Sequence, residues 1–235
     1  RGIVRIVLNK QNGFLSNHID LSGISDSIEE DLGRRDFTVD SMAVHMGCIS
    51  NEIPINNLID LFEGLKDLRA GIIRVVSKNC FKDDPARLLR AIRLVAQLGF
   101  FIENGSKKAL IEDSHLVDKI APERIRDEFL KILEQTRASE NLDLMDRLGL
   151  LCKIIPELEY TRGVIQPKEH YWDVFNHCIQ TPNNIEKVTM PSDGFVNEIV
   201  SYVPWSEDLG NHFAEIVSDG FDRRTILKLG GLLHD

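Results

Sequence analysis

The chain has 235 residues, of which 43% are hydrophobic and 28% charged, and its formal net charge is −9. This composition excludes a wholly disordered chain, and no apolar run approaches the roughly 18 residues of a membrane span. The four cysteines are scattered, with no Cys-x-x-Cys pair, which argues against a disulfide framework and against a thiolate zinc site. We therefore expect a globular protein of the reducing cytoplasm, with no membrane partner.

Strand-like patterns dominate residues 1–77. Apolar, β-branched runs predict strands at Ile3–Leu8, Met42–Ile49 and Ile72–Val76, and Asn12-Gly13 predicts a hairpin turn. We expect these residues to form one β-containing domain.

Helical spacing dominates residues 78–165. Asp84-Pro85 and Gly99 are a typical start and stop of one helix, and Pro122 is a typical first residue of another. A third apolar pattern, Leu142–Leu151, predicts one more helix before the next proline. This stretch is expected to be all-helical.

From residue 166 onward the chain is richer in proline, histidine and acid, and we expect a boundary near Val164–Pro167. Residues 166–235 hold 5 basic and 11 acidic side chains, whereas residues 66–137 hold 15 and 11. The middle of the chain could present a basic face to phosphate, although solvated helix faces also explain so small an excess.

Both ends suggest a piece of a longer protein. Arg1 stands directly before a strand-like run, and residues 230–235 lie in an apolar helical pattern without a stop signal.

Two adjacent arginines followed by a carboxylate, Arg34-Arg35-Asp36, form the first candidate site. In a cleft, guanidinium groups can bind triphosphate oxygens in a fork, while the carboxylate accepts a hydroxyl hydrogen bond. The alternative is a helix or strand start with a surface ion pair.

Asp84 and Arg87 form the second candidate site. At i,i+3 spacing they share one side of a helical turn, and Arg90 lies next to Arg87 on that surface. A carboxylate and a guanidinium can present acceptor and donor atoms to the edge of a nucleobase. Helix capping with an intrahelical salt bridge is the alternative.

Histidines near the C-terminus form the third candidate site. His170 or His177 could gather with His234 and Asp235 around a divalent metal, although a fourth ligand would have to come from beyond the chain. A packed or surface histidine is the alternative.

Several motifs, in order, resemble those of class II tRNA nucleotidyltransferases and bacterial poly(A) polymerases. Residues 34–38 resemble the Arg-Arg-Asp-Phe-Thr motif, 60–68 the Asp-x-Phe-x-Gly-x-x-Asp-Leu motif, and 81–93 the nucleotide-reading motif with its Arg-rich helix. Residues 123–128 and 155–158 are similar to later landmarks, and residues 171–235 resemble the HD domain that follows in many members.

The resemblance implies an α+β fold. A partial polymerase-β-like nucleotidyltransferase head with a mixed sheet would occupy residues 1–77. An all-helical neck for nucleotide and RNA recognition would occupy residues 78–165, and a truncated helical HD domain residues 166–235.

The resemblance also implies roles for individual residues. Arg35 would contact the triphosphate with help from Arg34, and Asp36 the ribose; these two, Arg35 and Asp36, are the expected catalytic residues. Asp84 and Arg87 would read the base of CTP or ATP, with Arg90 beside them.

Further residues receive supporting or metal-binding roles by the same resemblance. Asp60 and Asp67 would belong to a segment that lets head and neck shift, and Arg124 and Glu128 to a supporting neck helix. Asp20 would be a metal carboxylate of the head.

Three departures from the family pattern stand out. Asp83 replaces a usual glutamate, and Asp40 replaces a usual asparagine, for which we assign no role. The Gly-rich turn and the Asp-x-Asp pair that hold Mg²⁺ in the family would precede this chain, so we expect this piece alone to have no transferase activity.

Three functions remain open from the sequence. The first is addition of CCA to a tRNA or other RNA 3′ end from CTP and ATP with Mg²⁺, or the related addition of A alone or of poly(A). The second is an HD phosphohydrolase that uses His177, His234 and Asp235 with a divalent metal. The third is an RNA-binding module without chemistry.

Overall fold

The computed structural model describes residues 3–7, 18–23, 27–48, 55–166, 171–189 and 206–235. Within these residues the chain mixes helices with short strands, as predicted. Eight strands are present: β1 (Ile3–Val7), β2 (His18–Ser22), β3 (Met42–Val44), β4 (Leu58–Asp60), β5 (Ile72–Ile73), β6 (Phe101–Ile102), β7 (Ile216–Ser218) and β8 (Phe221–Asp222). No helix among the described residues is long and apolar enough to cross a bilayer.

Twelve α-helices accompany the strands in the described part of the chain. They are α1 (Ile28–Gly33), α2 (Gly64–Ala70), α3 (Cys80–Asp83), α4 (Arg87–Leu98), α5 (Asn104–Asp113), α6 (Pro122–Glu134), α7 (Ala138–Arg147), α8 (Leu151–Ile154), α9 (Glu157–Tyr160), α10 (Val174–Thr189), α11 (Glu207–Ala214) and α12 (Arg223–Leu232). Short 3-10 helices occupy Thr38–Asp40, Met46–Cys48, Ile55–Asn57 and Ser114–Lys119.

The described strands form four sheets of two strands each. β1 and β2, β3 and β4, and β7 and β8 are antiparallel pairs, and β5 and β6 form a parallel pair. The mixed sheet predicted for residues 1–77 is therefore not found among the described residues. The run Met42–Ile49 forms strand only over Met42–Val44, because a 3-10 helix follows at once; Ile49 and the predicted turn Asn12-Gly13 lie outside the described residues.

The parallel pair β5–β6 corrects one prediction, because it places a strand inside the stretch predicted as all-helical. It also joins residues on the two sides of position 77, where a domain boundary was predicted. The left-handed backbone of Gly99 (φ 68°) ends α4 and turns the chain back along β5. The Phe101 amide then donates to the Gly71 carbonyl at 2.8 Å, and the Glu103 amide donates to the Ile73 carbonyl at 2.9 Å.

Proline and glycine explain how the helix boundaries compare with prediction. Pro122 is the first residue of α6, as predicted. Asp84 is extended, with φ −147°, and accepts from the Ala86 amide, as expected of a residue that stands before a proline at a helix start. α4 itself begins at Arg87, two residues after the predicted first residue Pro85. The third predicted helix is divided into α7 and α8 at Gly149, whose φ is +72°.

Helices α4, α6 and α7 supply much of the core. Their fully buried side chains recur at helical spacing, as in Leu88 and Ile92 of α4 and Leu142 and Met145 of α7. The cluster continues into α10 through Cys178 and Ile179, so the C-terminal helices share one core with the middle of the chain.

The C-terminal region is not wholly helical, because β7 and β8 form an antiparallel pair before α12. α12 packs against α10 and is tied to the middle helices by Lys228, which is 1% exposed. Its ammonium donates to the carbonyls of Leu133 and Gln135 at 2.8 and 2.9 Å and contacts Glu186 at 2.8 Å. A buried ion pair thus joins α12, α10 and the α6–α7 turn.

Candidate functional site

A cavity of about 460 Å³ opens beside the N-terminus of α4. Its lining is rich in charge, and most of it was predicted from two separate motifs. The lining residues are Ser22, Asp31, Arg34, Arg35, Asp36, Asp40, Asp84, Arg87 and Arg90.

The two arginines of the first motif follow the end of α1. Arg34 is 3.0 Å from Glu30 and Arg35 is 3.1 Å from Asp31, each one helical turn back. Both guanidinium groups stay about half exposed, so these ion pairs are weak and can be exchanged for an anion in the cavity.

Asp36 is buried at the floor of the cavity, with 5% of its surface exposed. Arg90 Nε lies 2.9 Å from one carboxylate oxygen, and the Phe37 amide donates to the other at 3.2 Å. Phe37 itself is 1% exposed and bridges to Val75, which fixes the segment against the core. The structure therefore brings together Asp36 and Arg90, which come from different motifs.

Asp84 is held by a helix far away in sequence. Arg124 of α6 donates to both of its carboxylate oxygens, at 2.9 and 2.8 Å, and the Ala86 amide donates to one of them at 3.1 Å. Burial alone would raise the pKa of Asp84, but these hydrogen bonds outweigh it and lower the pKa below the usual range. Asp84 is thus an anionic acceptor at neutral pH.

Arg87 spans the gap between the two motifs. Its Nη2 donates to the Arg34 carbonyl at 2.7 Å, and its Nη1 donates to the Cys80 carbonyl at 3.2 Å. The alternative interpretation was a salt bridge within the helix between Arg87 and Asp83 or Asp84. Among the described residues no such ion pair occurs, and Asp84 pairs with Arg124 instead.

The remaining supporting residues lie outside the cavity. Asp60 caps α2, accepting from the Gly64 and Leu65 amides at 2.7 and 2.9 Å. Asp67 is 2% exposed and accepts from Thr38 and Arg74, both at 2.8 Å.

Glu128 pairs with Arg93 across α6 and α4, at 2.7 Å. Both side chains are largely buried. Glu128 therefore connects α6 to α4, which carries Arg87, while Arg124 connects α6 to Asp84 just before α4.

Asp20 does not join the cavity. It stands opposite Arg5 in the β1–β2 register, and both of its oxygens accept from Arg5 at 2.7 Å. Among the described residues, Asp20 does not belong to a group of three or more possible metal ligands. The metal-binding role of Asp20 stays a prediction, and a metal ion there would have to compete with Arg5 for the carboxylate.

His177, His234 and Asp235 do come together. The two Nε2 atoms are 3.1 Å apart, and each lies 3.6 Å from one Asp235 oxygen. His234 Nδ1 contacts the Gly231 carbonyl at 2.8 Å, which directs Nε2 toward the group. These ligand atoms could hold a divalent metal ion, the only such group found in the described part of the chain; His170 lies outside that part.

Ser22, Asp31, Asp40 and Cys80 were not assigned roles from the sequence. The spacing of Asp31, one helical turn before Arg35, could have predicted the ion pair between these two residues. Asp40 has a buried oxygen without a hydrogen-bond partner, and burial followed by the nearby Asp36 charge raises its pKa. Cys80 gave no sequence signal, because its contacts depend on the tertiary fold.

Two family models match the chain in the order that the motifs suggest. The "Poly A polymerase head domain" matches residues 9–74, and the "Probable RNA and SrmB- binding site of polymerase A" matches residues 99–161. The chain belongs to the family of class II tRNA nucleotidyltransferases and bacterial poly(A) polymerases. The residues that line the cavity lie within the first match and in the stretch between the two matches.

Two curated members of the family illustrate the similarity. The CCA-adding enzyme of Leuconostoc mesenteroides is 44% identical over 121 residues, which are 50% of this chain and 28% of that protein. The A-adding tRNA nucleotidyltransferase of Deinococcus radiodurans is 33% identical over 159 residues, 66% of this chain and 35% of that protein. The chain thus spans about a third of the length of these family members.

A solved structure of a tRNA-processing enzyme with CTP has the same fold over most of the chain. It superposes with a TM-score of 0.59 at 25% identity, covering 88% of this chain and 47% of that one. The family resemblance read from the motifs is confirmed by these comparisons.

Proposed function

We propose that this chain is the nucleotide-selecting part of an RNA 3′-end nucleotidyltransferase that adds CCA to tRNA from CTP and ATP. The observation that carries the proposal is the cavity in which the Arg34–Asp36 motif meets Asp84, Arg87 and Arg90. Two motifs that are about 50 residues apart in sequence line one volume of about 460 Å³, which is within the size range of small-molecule sites.

Charge supports a nucleoside triphosphate as the ligand. In the proposed complex, Arg35 and Arg34 exchange their helical carboxylate partners for phosphate oxygens, because bidentate contact with phosphate is the stronger of the two. Asp36 then faces the ribose, and Arg90 holds its carboxylate in place.

Base selection follows from the second motif. Asp84 stays ionised and accepts from an exocyclic amino group, which both cytosine and adenine carry. Arg87 donates to a ring nitrogen or carbonyl from the opposite side. The protein side chains would then choose the nucleotide without a nucleic-acid template.

The chemical step we propose is in-line displacement. The RNA 3′ oxygen forms a bond to the α-phosphorus of the nucleotide while the bond to pyrophosphate breaks, and the hydroxyl proton leaves to solvent. The contribution of this chain is to position the triphosphate and the base, which lowers the entropic part of the barrier. A divalent metal, where bound, supplies charge neutralisation at the phosphates.

The domain layout is also part of the proposal. Residues 1–77 would belong to the head, 78–165 to the neck, and 166–235 to an HD-type domain. The pairing of β5 with β6 means that head and neck share a small sheet, while the shared core supports close packing of the last two parts.

Nucleotide incorporation by the intact gene product tests the proposal. The protein is incubated with Mg²⁺ and a tRNA that ends before CCA, with labelled CTP alone, ATP alone, and then both. Two C additions followed by one A would support CCA addition. Long A tracts, or A only after a supplied CC, would move the protein to the poly(A) or A-adding branch, and no incorporation would contradict the proposal.

A second activity is favoured by the group of His177, His234 and Asp235. We infer that a divalent ion held there could activate water for hydrolysis of a phosphate ester. Titration calorimetry with Mn²⁺ and hydrolysis of a phosphodiester are measured for the intact protein and for His177→Ala. Loss of both in the variant would support a catalytic HD site, and metal binding absent from the parent protein would rule it out.

A further inference from the structure

Cys80 is the first residue of α3 and contacts three of the residues that line the cavity. Its thiol donates to the Asp36 carbonyl at 3.3 Å. Its own carbonyl accepts from Arg87 Nη1 at 3.2 Å and from the Asp84 amide at 3.4 Å. One residue therefore joins the main chain of the candidate ribose-binding residue to both candidate base-reading residues.

The Cys80 side chain is enclosed, with 1% of its surface exposed. Sγ lies 3.8 Å from Arg87 Nη1. Burial, which outweighs the charge of Arg87, raises the pKa of the thiol to about 11. Cys80 is thus a neutral S–H donor at physiological pH, and not a reactive thiolate.

The Asp36 carbonyl has two restraints. The Val76 amide, next to the isolated bridge between Val75 and Phe37, donates to it at 3.0 Å. The Cys80 thiol donates to it at 3.3 Å. Of these two hydrogen bonds, only the one from the thiol joins the Asp36 carbonyl to α3. It adds to the two links from the same segment to α4, which are the Arg90–Asp36 ion pair and the hydrogen bond from Arg87 to the Arg34 carbonyl.

We propose that Cys80 is a positioning residue for nucleotide selection, which holds the ribose-facing residue in register with the base-facing pair. The inference rests on the proposed function, because selection is measured as incorporation of C or A. A shift between Asp36 and Arg87 would change how the base edge meets its partners. The triphosphate contacts proposed for Arg34 and Arg35 do not use the Asp36 carbonyl and would change less.

The test compares four forms of the intact gene product: the parent, Cys80→Ala, Cys80→Ser and Cys178→Ala. Cys178 is a matched control, because it is also a fully buried cysteine but lies in α10, away from the cavity. For each form, kcat and KM are measured for CTP and for ATP at the first added position of a tRNA lacking CCA. Melting temperatures are recorded in parallel.

We expect Cys80→Ala to lower the CTP-to-ATP ratio of kcat/KM by about threefold or more, mainly through KM, which is the size of effect expected for one lost hydrogen bond. Cys80→Ser retains a hydrogen-bond donor, so its CTP-to-ATP ratio of kcat/KM should stay within about twofold of the parent's. Cys178→Ala should lower the melting temperature and leave the ratio unchanged.

The remaining outcomes separate two failures. If the parent and Cys178→Ala add C, C and A while Cys80→Ala keeps the parental ratio, Cys80 only fills the core and the inference is wrong, although the proposed function stands. If the parent incorporates no nucleotide, the proposed function and the inference are both overturned.

Discussion

Arg124 and Asp84 are 40 residues apart in sequence and form a bidentate ion pair at 2.9 and 2.8 Å. Asp84 lines the cavity, and the pair fixes the direction in which its carboxylate points. α6 therefore shapes the nucleotide-selecting surface although Arg124 does not line the cavity.

Replacing Arg124 should change the pH dependence of selection. In the parent, the folded pKa of Asp84 is lowered, so the stabilisation from this pair is complete above the ordinary aspartate pKa and is lost as pH falls through the folded value. In Arg124→Ala, burial is no longer opposed by the guanidinium, so the pKa of Asp84 should rise. We expect the acid limb of kcat/KM for CTP to move to higher pH.

Arg124→Lys is the control for this prediction, because it keeps the charge but not the two-pronged geometry. Its acid limb should fall between those of the parent and the alanine variant. An acid limb at the same pH in all three forms would show that Arg124 does not influence the ionisation of Asp84.

Arg87→Ala should impair the choice between C and A more than it harms the fold. Arg87 is partly buried and donates to two carbonyls, so its loss should cost about 1–2 kcal/mol of stability. The choice between nucleotides should weaken about tenfold or more, because one of the two candidate base-reading groups is gone. Single-nucleotide incorporation and urea unfolding measure the two effects, and an unchanged preference for C at the first position would refute the assigned role.

Lys228→Met should strongly destabilise the protein. The change leaves Glu186 buried without its cation, and removing one partner of a buried pair costs about 3–5 kcal/mol. Glu186 also accepts from the Arg137 and Ala138 amides at 2.9 and 3.0 Å, so the α6–α7 turn should loosen as well. Urea unfolding gives the free energy of the variant.

The double variant Lys228→Met/Glu186→Gln is the partner experiment. Without a buried unpaired charge, it should recover part of the loss, since the oxygen of the glutamine amide can still accept from one of the two turn amides. A double variant less stable than the single one would show that the unpaired charge is not the cause.

Gly64→Ala should destabilise the connection between α2 and the Thr38–Asp40 turn. A Cβ at Gly64 would overlap the Thr38 carbonyl, so α2 would have to move away from the segment that follows Asp36. We expect a loss of about 1–3 kcal/mol in urea unfolding.

Gly230→Ala is the matched change within a helix. An added Cβ at Gly230 meets no atom within 4 Å, so alanine should leave stability unchanged or raise it by about 0.5–1 kcal/mol. Equal losses for the two variants would mean that the close approach at Gly64 is not what makes it sensitive.

The family resemblance assigned Asp36 and Arg87 to one bound nucleotide, and in the structure both residues line the same cavity. Their individual roles stay predictions. The sequence did not reveal that Arg124 holds Asp84 or that Cys80 contacts residues of both motifs. Such contacts depend on how α6 and α3 pack, and local spacing carries no information about packing.

Helix ends were predictable where one residue dictates the backbone. Pro122 and Gly99 behave as expected, because a fixed φ and a left-handed φ are local properties. The pairing of strands could not be predicted in this way, because β5 and β6 are two residues long and become strands only through their mutual hydrogen bonds.

The parallel pair β5–β6 also limits how relatives of this protein can be recombined. Besides the strand bonds themselves, the Val75 amide donates to Ser106 Oγ at 3.1 Å and Arg74 lies 3.7 Å from Glu103. In a chimera of two relatives joined at residue 77, β5 would come from one protein and β6 from the other. Junctions placed before residue 27 and after residue 106 would transfer the sheet and every cavity-lining residue except Ser22 as one inherited block.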